Sequence, residues 1–175
     1  MTRCDLRVGM IGLGALGLPM AANLRRADVP MRVHTRSRNA ERDPSLLGAI
    51  TCATPAEAAE GVDVLLLCVS DNAAVEAVLF GANGASDHLA AGSVVVDCST
   101  IAPATAIASA QRLAQRGVHY LDAPVTGGTE GAKAGSLTVL VGGGPAALER
   151  ARPVLEIIGG SIHHFGAVGR GQQVK

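Results

Sequence analysis

The sequence predicts an α/β fold, a doubly wound and mostly parallel sheet with helices on both faces. Three observations predict it. Apolar runs bounded by glycine or polar residues alternate along the chain with alanine-rich stretches of helical character. Two of those runs, within residues 62–69 and 94–96, are apolar almost without interruption, as strands buried on both faces are. Glycines spaced GxGxxG stand at Gly12, Gly14 and Gly17, where the first apolar run gives way to the first helical stretch.

Taken in order, residues 6–12 read as the first strand and 16–27 as an amphipathic helix. Residues 31–35 read as a second strand, 55–60 as a short helix and 62–70 as the most apolar strand. A helix over 72–80 and a strand over 94–98 follow. A helix over 103–116 then leads to a strand at 118–121. Residues 138–141 read as a strand, 145–158 as a helix and 161–165 as a last strand. Pro55, Pro103 and Pro145 each open one of these helices, where a missing N–H costs nothing and a fixed φ suits the first turn. No internal repeat, linker or low-complexity segment interrupts the pattern.

Composition bounds the function. The 175 residues suffice for one ordinary domain with a real core. Fifteen basic and fifteen acidic side chains give a formal net charge of zero, and the only aromatics are Phe80, Tyr120 and Phe165. The chain therefore lacks both the positive field that holds nucleic acid and the stacking platforms that hold single strands, so no nucleic-acid partner is expected. No apolar run free of glycine and proline is long enough to span a bilayer, so no membrane partner is expected either. Arg3 and Arg7 before the apolar residues 8–22 imitate a secretory signal. The regularly placed glycines and Pro19 fit a nucleotide-binding turn better.

Cys4, Cys52, Cys68 and Cys98 have neither CxxC spacing nor a histidine pair near them, so no metal site and no disulfide framework is expected. They read as small buried hydrophobes in a reducing, cytoplasmic compartment. His163 and His164 are neighbours on an expected strand and point to opposite faces, which suits a strand end better than a ligand pair.

In the GxGxxG turn, Gly12 permits the tight turn, Gly14 leaves room for a pyrophosphate against the backbone, and Gly17 lets helix and strand pack closely. Leu13, Ala15 and Leu16 complete a loop whose helix N-terminus offers N–H groups and partial positive charge to phosphate. This is the dinucleotide-binding turn of a Rossmann-type fold. About 20 positions past these glycines, NAD-binding folds carry an acid for the ribose 2′-hydroxyl. Thr35 stands there instead, followed by Arg36, Ser37 and Arg38. A guanidinium suits a 2′-phosphate, and no carboxylate is visible to repel it, so NADP is favoured with NAD possible.

Further motifs follow the later strands. Ser99, Thr100 and Pro103 come after the strand at 94–98, at the sheet edge where open α/β folds bind ligands. Ser99 or Thr100 can equally cap the helix at Pro103. Val69 and Ser70 end the preceding strand at the same edge, and Asp71 can cap the helix after it. Thr126, Gly127 and Gly128 offer a hydroxyl and backbone N–H groups to a carboxylate. Gly142, Gly143 and Gly144 read as a plain turn into the helix at Pro145.

Four segments in this order resemble the β-hydroxyacid dehydrogenases: residues 12–21, 97–103, 122–128 and 166–175. Residues 81–84 and 135–138 add to the likeness, which covers essentially the whole chain. The resemblance implies that Val69 and Ser70 meet the adenosine side of the cofactor and Thr100 the nicotinamide end. It implies that Thr126, usually a serine in the family, binds a small carboxylate substrate with Gly127 and Gly128. It assigns Lys175, the lysine of GxGxxxK after Gly169 and Gly171, the proton exchange with the substrate oxygen. A lysine in a partly dry pocket sheds its proton near neutral pH.

The family continues past this lysine with a helical domain that closes the cleft and builds a homo-oligomer. The expectation is thus a cofactor-binding domain over residues 1–165 and the start of an interdomain segment over 166–175. As a truncated form it would bind NADPH weakly and turn over poorly. Oxidative decarboxylation of the 6-phosphogluconate dehydrogenase kind, and a non-catalytic dinucleotide-binding module, remain as alternatives.

Overall fold

The computed structural model describes residues 4–175, so Arg3 of the signal-like stretch lies outside the described residues. Strands β1 (Val8–Ile11), β2 (Met31–His34), β3 (Ile50–Thr51), β4 (Val64–Leu67), β5 (Val94–Asp97) and β6 (His119–Asp122) form one sheet. Their order is β3-β2-β1-β4-β5-β6 and every pairing is parallel. The order reverses between β1 and β4, which opens a crevice at their carboxyl ends. Helices α1 (Gly17–Arg26), α2 (Pro55–Ala59), α3 (Asn72–Phe80) and α4 (Pro103–Ala114) connect these strands.

A second sheet of β7 (Val125–Thr126), β8 (Leu137–Val141) and β9 (Gly159–His164) pairs β7 with β8 antiparallel and β8 with β9 parallel. Helices α5 (Gly128–Ala134), α6 (Pro145–Ile158) and α7 (Arg170–Val174) belong to this half.

Two apolar clusters explain why the central strands are apolar throughout. Val64 and Leu66 of β4 face one cluster, with Met10, Leu24, Val96, Leu121 and Leu155. Leu65 and Leu67 face the other, with Ile11, Leu79, Val95 and Leu113. Successive side chains of a strand point to opposite faces, so a strand covered by helices on both sides has no polar face. In β8, by contrast, Leu137, Val139 and Val141 are buried while Thr138 and Leu140 are only partly covered, the alternation of a half-buried strand.

The expected helices and strands are present, with ends moved by at most three residues. Four short elements were not expected. β3 and β7 have two residues each, too few to show a period. α5 reads GTEGAKA and α7 reads RGQQV, glycine-containing sequences that do not form helices alone. Tertiary contacts hold them: the Asn23 side-chain amide donates to Ala132 O at 2.8 Å, and Asp122 receives N–H groups of α7.

Candidate cofactor and active site

The glycine turn lies between β1 and α1. Gly12 donates its N–H to His34 O at 2.9 Å and has φ +96°, and a Cβ there would lie 2.2 Å from the Cys68 carbonyl oxygen. Only glycine turns this sharply so close to β4. A Cβ on Gly17 would lie 2.0 Å from Gly12 O, whereas a Cβ on Gly14 would meet nothing within 4 Å. Gly17 thus serves close packing, and Gly14 borders open space. The N-terminus of α1 has no side-chain cap and no acidic residue in its first turn.

A cleft of about 320 Å³ runs from this turn across the carboxyl ends of β1, β2 and β4. Gly12, Leu13, Gly14, Thr35, Arg36, Ser37, Val69 and Ser70 line it together. Ala74, Ala77 and Val78 of α3 form an apolar wall that the sequence did not single out. Ala15 lies outward of it, in a neighbouring groove with Gly14, Thr129 and Lys133.

At the end of β2, Thr35 turns its hydroxyl to accept from Leu13 N at 3.3 Å, which ties β2 to the glycine turn. Its own N–H donates to Glu41 Oε1 at 2.9 Å, and Arg38 Nε donates to Glu41 Oε2 at 2.8 Å. The expectation that no carboxylate stands here is corrected, because buried Glu41 reaches back from six residues on. A turn in which Arg38 N–H meets Thr35 O at 3.1 Å and Arg38 has φ +62° makes that reach possible. Arg38 neutralises Glu41 and is committed to it, which leaves Arg36 as the cation on the cleft.

At the end of β4, Val69 N–H donates to the Ser99 hydroxyl at 3.0 Å. Ser70 donates to Asp71, and Asp71 caps α3 through Ala74 N–H at 2.8 Å. That cap, the Ser70 hydroxyl and nearby Arg36 hold the Asp71 carboxyl below its ordinary range. Burial pushes the Cys68 thiol up to about 11, so it is an inert wall residue.

At the end of β5, Ser99 N–H donates to Asp97 at 2.9 Å. Helix α4 starts from Ala102, whose N–H donates to Asn72 Oδ1 at 2.8 Å, and no side chain of its own segment caps it. The capping alternative for Ser99 and Thr100 is thereby overturned. Ser99 is used by Val69, and Thr100 is exposed with no hydrogen bond from its hydroxyl among the described residues. Tyr120 donates its hydroxyl to Asp97 Oδ2 at 2.7 Å, and burial pushes the Asp97 carboxyl up to about 6.

Beyond β6, Thr126 ends β7, and Gly127 and Gly128 follow with φ +129° and +61°. All three are exposed, and the helix they open packs on α1. Asp122, fully buried, accepts Gly169 N–H at 2.7 Å on one oxygen and Gln172 N–H at 2.8 Å on the other. Burial raises its carboxyl above the ordinary value despite these bonds. Lys175 follows α7 directly and is exposed. The Gly142 to Gly144 segment is more than a turn: Gly142 exchanges backbone bonds with Asp122, and Gly143 N–H donates to Gly166 O at 2.8 Å.

Sequence reasoning passed over Glu41, Asp97, Asp122 and Gln172. Asp97 and Asp122 carried a signal, each being an acid placed at the end of an apolar strand. Among the described residues no three His, Cys, Asp or Glu side chains are grouped to hold a metal, and no helix is long and apolar enough to cross a membrane.

Residues 7–166 match the family described as the NAD binding domain of 6-phosphogluconate dehydrogenase. The chain belongs to this family. Within it the chain is similar to the β-hydroxyacid dehydrogenases, as its motifs imply. It is 40% identical over 170 residues to the 2-hydroxy-3-oxopropionate reductase of Escherichia coli (strain K12), covering 97% of this chain and 58% of that protein. The solved structure of Mycobacterium tuberculosis 3-hydroxyisobutyrate dehydrogenase with L-serine superposes with a TM-score of 0.91 at 31% identity, over 98% of this chain and 58% of that one. Psf3 in complex with NADP+ and 2-OPP superposes with a TM-score of 0.90 at 35% identity, over 95% of this chain and 59% of that one.

The chain thus spans less than two thirds of the length of these relatives. It is an NAD(P)-binding domain, and its residues fit that cofactor. The open space at Gly14, the uncapped N-terminus of α1 and the cleft beside them form a cradle for a pyrophosphate and an adenosine.

Proposed function

We propose that this chain is the cofactor-binding part of an oxidoreductase that transfers a hydride between NADP(H) and a small β-hydroxy acid or semialdehyde, such as 3-hydroxyisobutyrate or tartronate semialdehyde. The observation that carries the choice of NADP is the end of β2. Thr35 occupies the place of the ribose-binding acid and is turned to Leu13, the Glu41 carboxylate beside it is paired with Arg38, and Arg36 and Ser37 line the cleft. Arg36 meets the 2′-phosphate with charge-assisted hydrogen bonds, and Ser37 adds a hydroxyl. Gly12, Leu13, Gly14, Ala15, Leu16 and Gly17 hold the pyrophosphate, and Val69 and Ser70 the adenosine side.

Bound NADP(H) supplies or accepts the hydride. The chain's own groups orient the substrate and move the proton. Thr126, Gly127 and Gly128 hold the substrate carboxylate. Thr100 holds the nicotinamide end. Lys175 gives a proton to the substrate oxygen in reduction and takes it back in oxidation, its charge favouring the oxygen as negative charge develops there.

Fluorescence titration of the 175-residue chain with NADPH and NADH tests the cofactor assignment. The wild type is expected to favour NADPH, and Arg36→Ala to reduce that preference by roughly tenfold or more, the worth of a hydrogen bond to a charged group. An NADPH-to-NADH ratio unchanged in Arg36→Ala refutes the 2′-phosphate assignment.

A further inference from the structure

Gln172 is buried on α7, three residues before Lys175, and its side chain grips the backbone on both sides of Thr100. Its carbonyl oxygen accepts Ile101 N–H at 3.1 Å, and its amide donates to Ser99 O at 2.7 Å. The partners fix which end of the amide points where, because a backbone N–H only donates and a backbone carbonyl only accepts. Neither bond is local: they join positions 71 and 73 residues apart.

The same residue is held from below. Its backbone N–H donates to Asp122 Oδ2 at 2.8 Å, and Asp122 Oδ1 takes Gly169 N–H at 2.7 Å, so one buried carboxylate secures the first turn of α7. The near end of the gripped loop is secured separately. Ser99 donates its N–H to Asp97 and accepts Val69 N–H on its hydroxyl, two bonds that hold the adenosine side of the cleft without Gln172. Thr100 lies in irregular chain between β5 and α4 and its hydroxyl has no bond among the described residues, so its place follows from its neighbours Ser99 and Ile101, both of which Gln172 holds.

We propose that Gln172 is a positioning residue for the reaction. It sets Thr100 at the nicotinamide end of the cofactor and couples that loop to the turn that carries Lys175, with Asp122 as the anchor. The inference rests on the roles given above to Thr100 and Lys175. A purely structural clip would support the binding of every ligand alike, whereas this arrangement acts on the nicotinamide end alone.

Two ligands separate the possibilities: NADPH, and 2′-phospho-ADP-ribose, which keeps the adenine end and lacks the nicotinamide. In the 175-residue chain, Gln172→Met keeps the bulk of the side chain and removes both hydrogen bonds. It is expected to weaken NADPH about fivefold or more, the fold-change one lost hydrogen bond carries, and to leave 2′-phospho-ADP-ribose within about twofold. Equal weakening of both, or of neither, overturns the proposal. A wild type that binds NADPH no tighter than 2′-phospho-ADP-ribose refutes the role of Thr100 itself, and the inference falls with it.

Amide hydrogen exchange of the wild type gives a second readout that needs no variant to fold. NADPH, and not 2′-phospho-ADP-ribose, is expected to slow exchange in residues 99–102 and in 169–174 together. Protection of 99–102 with 169–174 indifferent refutes the coupling.

Discussion

Replacing Asp97 by Asn is expected to stabilise the chain above pH 6 and to remove a pH dependence that the wild type carries between pH 4 and 6. Asp97 is fully buried at the end of β5. Burial is the largest influence on its carboxyl, the Tyr120 and Ser99 hydrogen bonds oppose it, and Asp122 on the neighbouring strand adds to it. The result is a carboxyl at about 6 where the ordinary value is 3.8.

A folded-state value above the unfolded one means that the native state binds the proton more tightly. Stability from this group is therefore fully present below the ordinary value and lost as pH rises to about 6. The size is about 3 kcal/mol, from about two pH units at 1.36 kcal/mol each. Asn keeps an oxygen for Ser99 N–H and offers an amide to the Tyr120 oxygen, leaving the tyrosine proton unmatched at about 1 kcal/mol. The net gain at pH 8 is then about 2 kcal/mol, with a loss of about 1 kcal/mol at pH 4. Urea unfolding followed by circular dichroism from pH 4 to pH 8 measures both. Groups remote from Asp97 titrate alike in both proteins, so the difference between the two curves belongs to this carboxyl together with its effect on neighbouring Asp122. Parallel curves for wild type and Asp97→Asn refute the reasoning.

The glycine turn predicts two different failures. Gly12→Ala drives a Cβ to 2.2 Å from the Cys68 carbonyl at φ +96°, so its urea midpoint is expected to fall by the equivalent of about 2 kcal/mol or more. Gly14→Ala meets nothing within 4 Å, so it is expected to unfold like the wild type while NADPH titration shows the affinity lost. Asn23→Ala removes the buried bond from α1 to Ala132 O, and about 1 kcal/mol of stability is expected to go with it in the same unfolding assay.

What the sequence displayed was what the backbone itself does. A turn made this tight requires glycine at fixed offsets, so Gly12, Gly14 and Gly17 announce their fold from six residues of text, and the ligand proposed for them follows from the same spacing. The sheet was legible for the same reason, since strands buried on both faces must be apolar throughout. The residues that fix the site from behind were not legible, because they act across distance in the chain. Glu41 becomes the partner of Thr35 because a turn reverses the chain, and Gln172 meets Ser99 across 73 residues that hold β6 to β9. α5 and α7 were hidden because glycine-containing pieces of five to seven residues are helical only where packing holds them.

The difference has a consequence for how cofactor choice and fold are joined. A chain of zero net charge has no general attraction for an anionic dinucleotide, so affinity must come from placed groups. At the pyrophosphate the proposed groups are backbone N–H groups, which serve any dinucleotide. At the ribose the proposed groups are Arg36 and Ser37, because Arg38 is occupied by Glu41. Discrimination between NADP and NAD therefore falls on exposed side chains, whereas the glycine turn is wedged against β4 and α1. Exchange at position 36 disturbs no packed group, so preference can change without change in stability. At Gly12 no such separation exists, since the atom that a side chain would crowd is the backbone carbonyl of Cys68 at the end of β4.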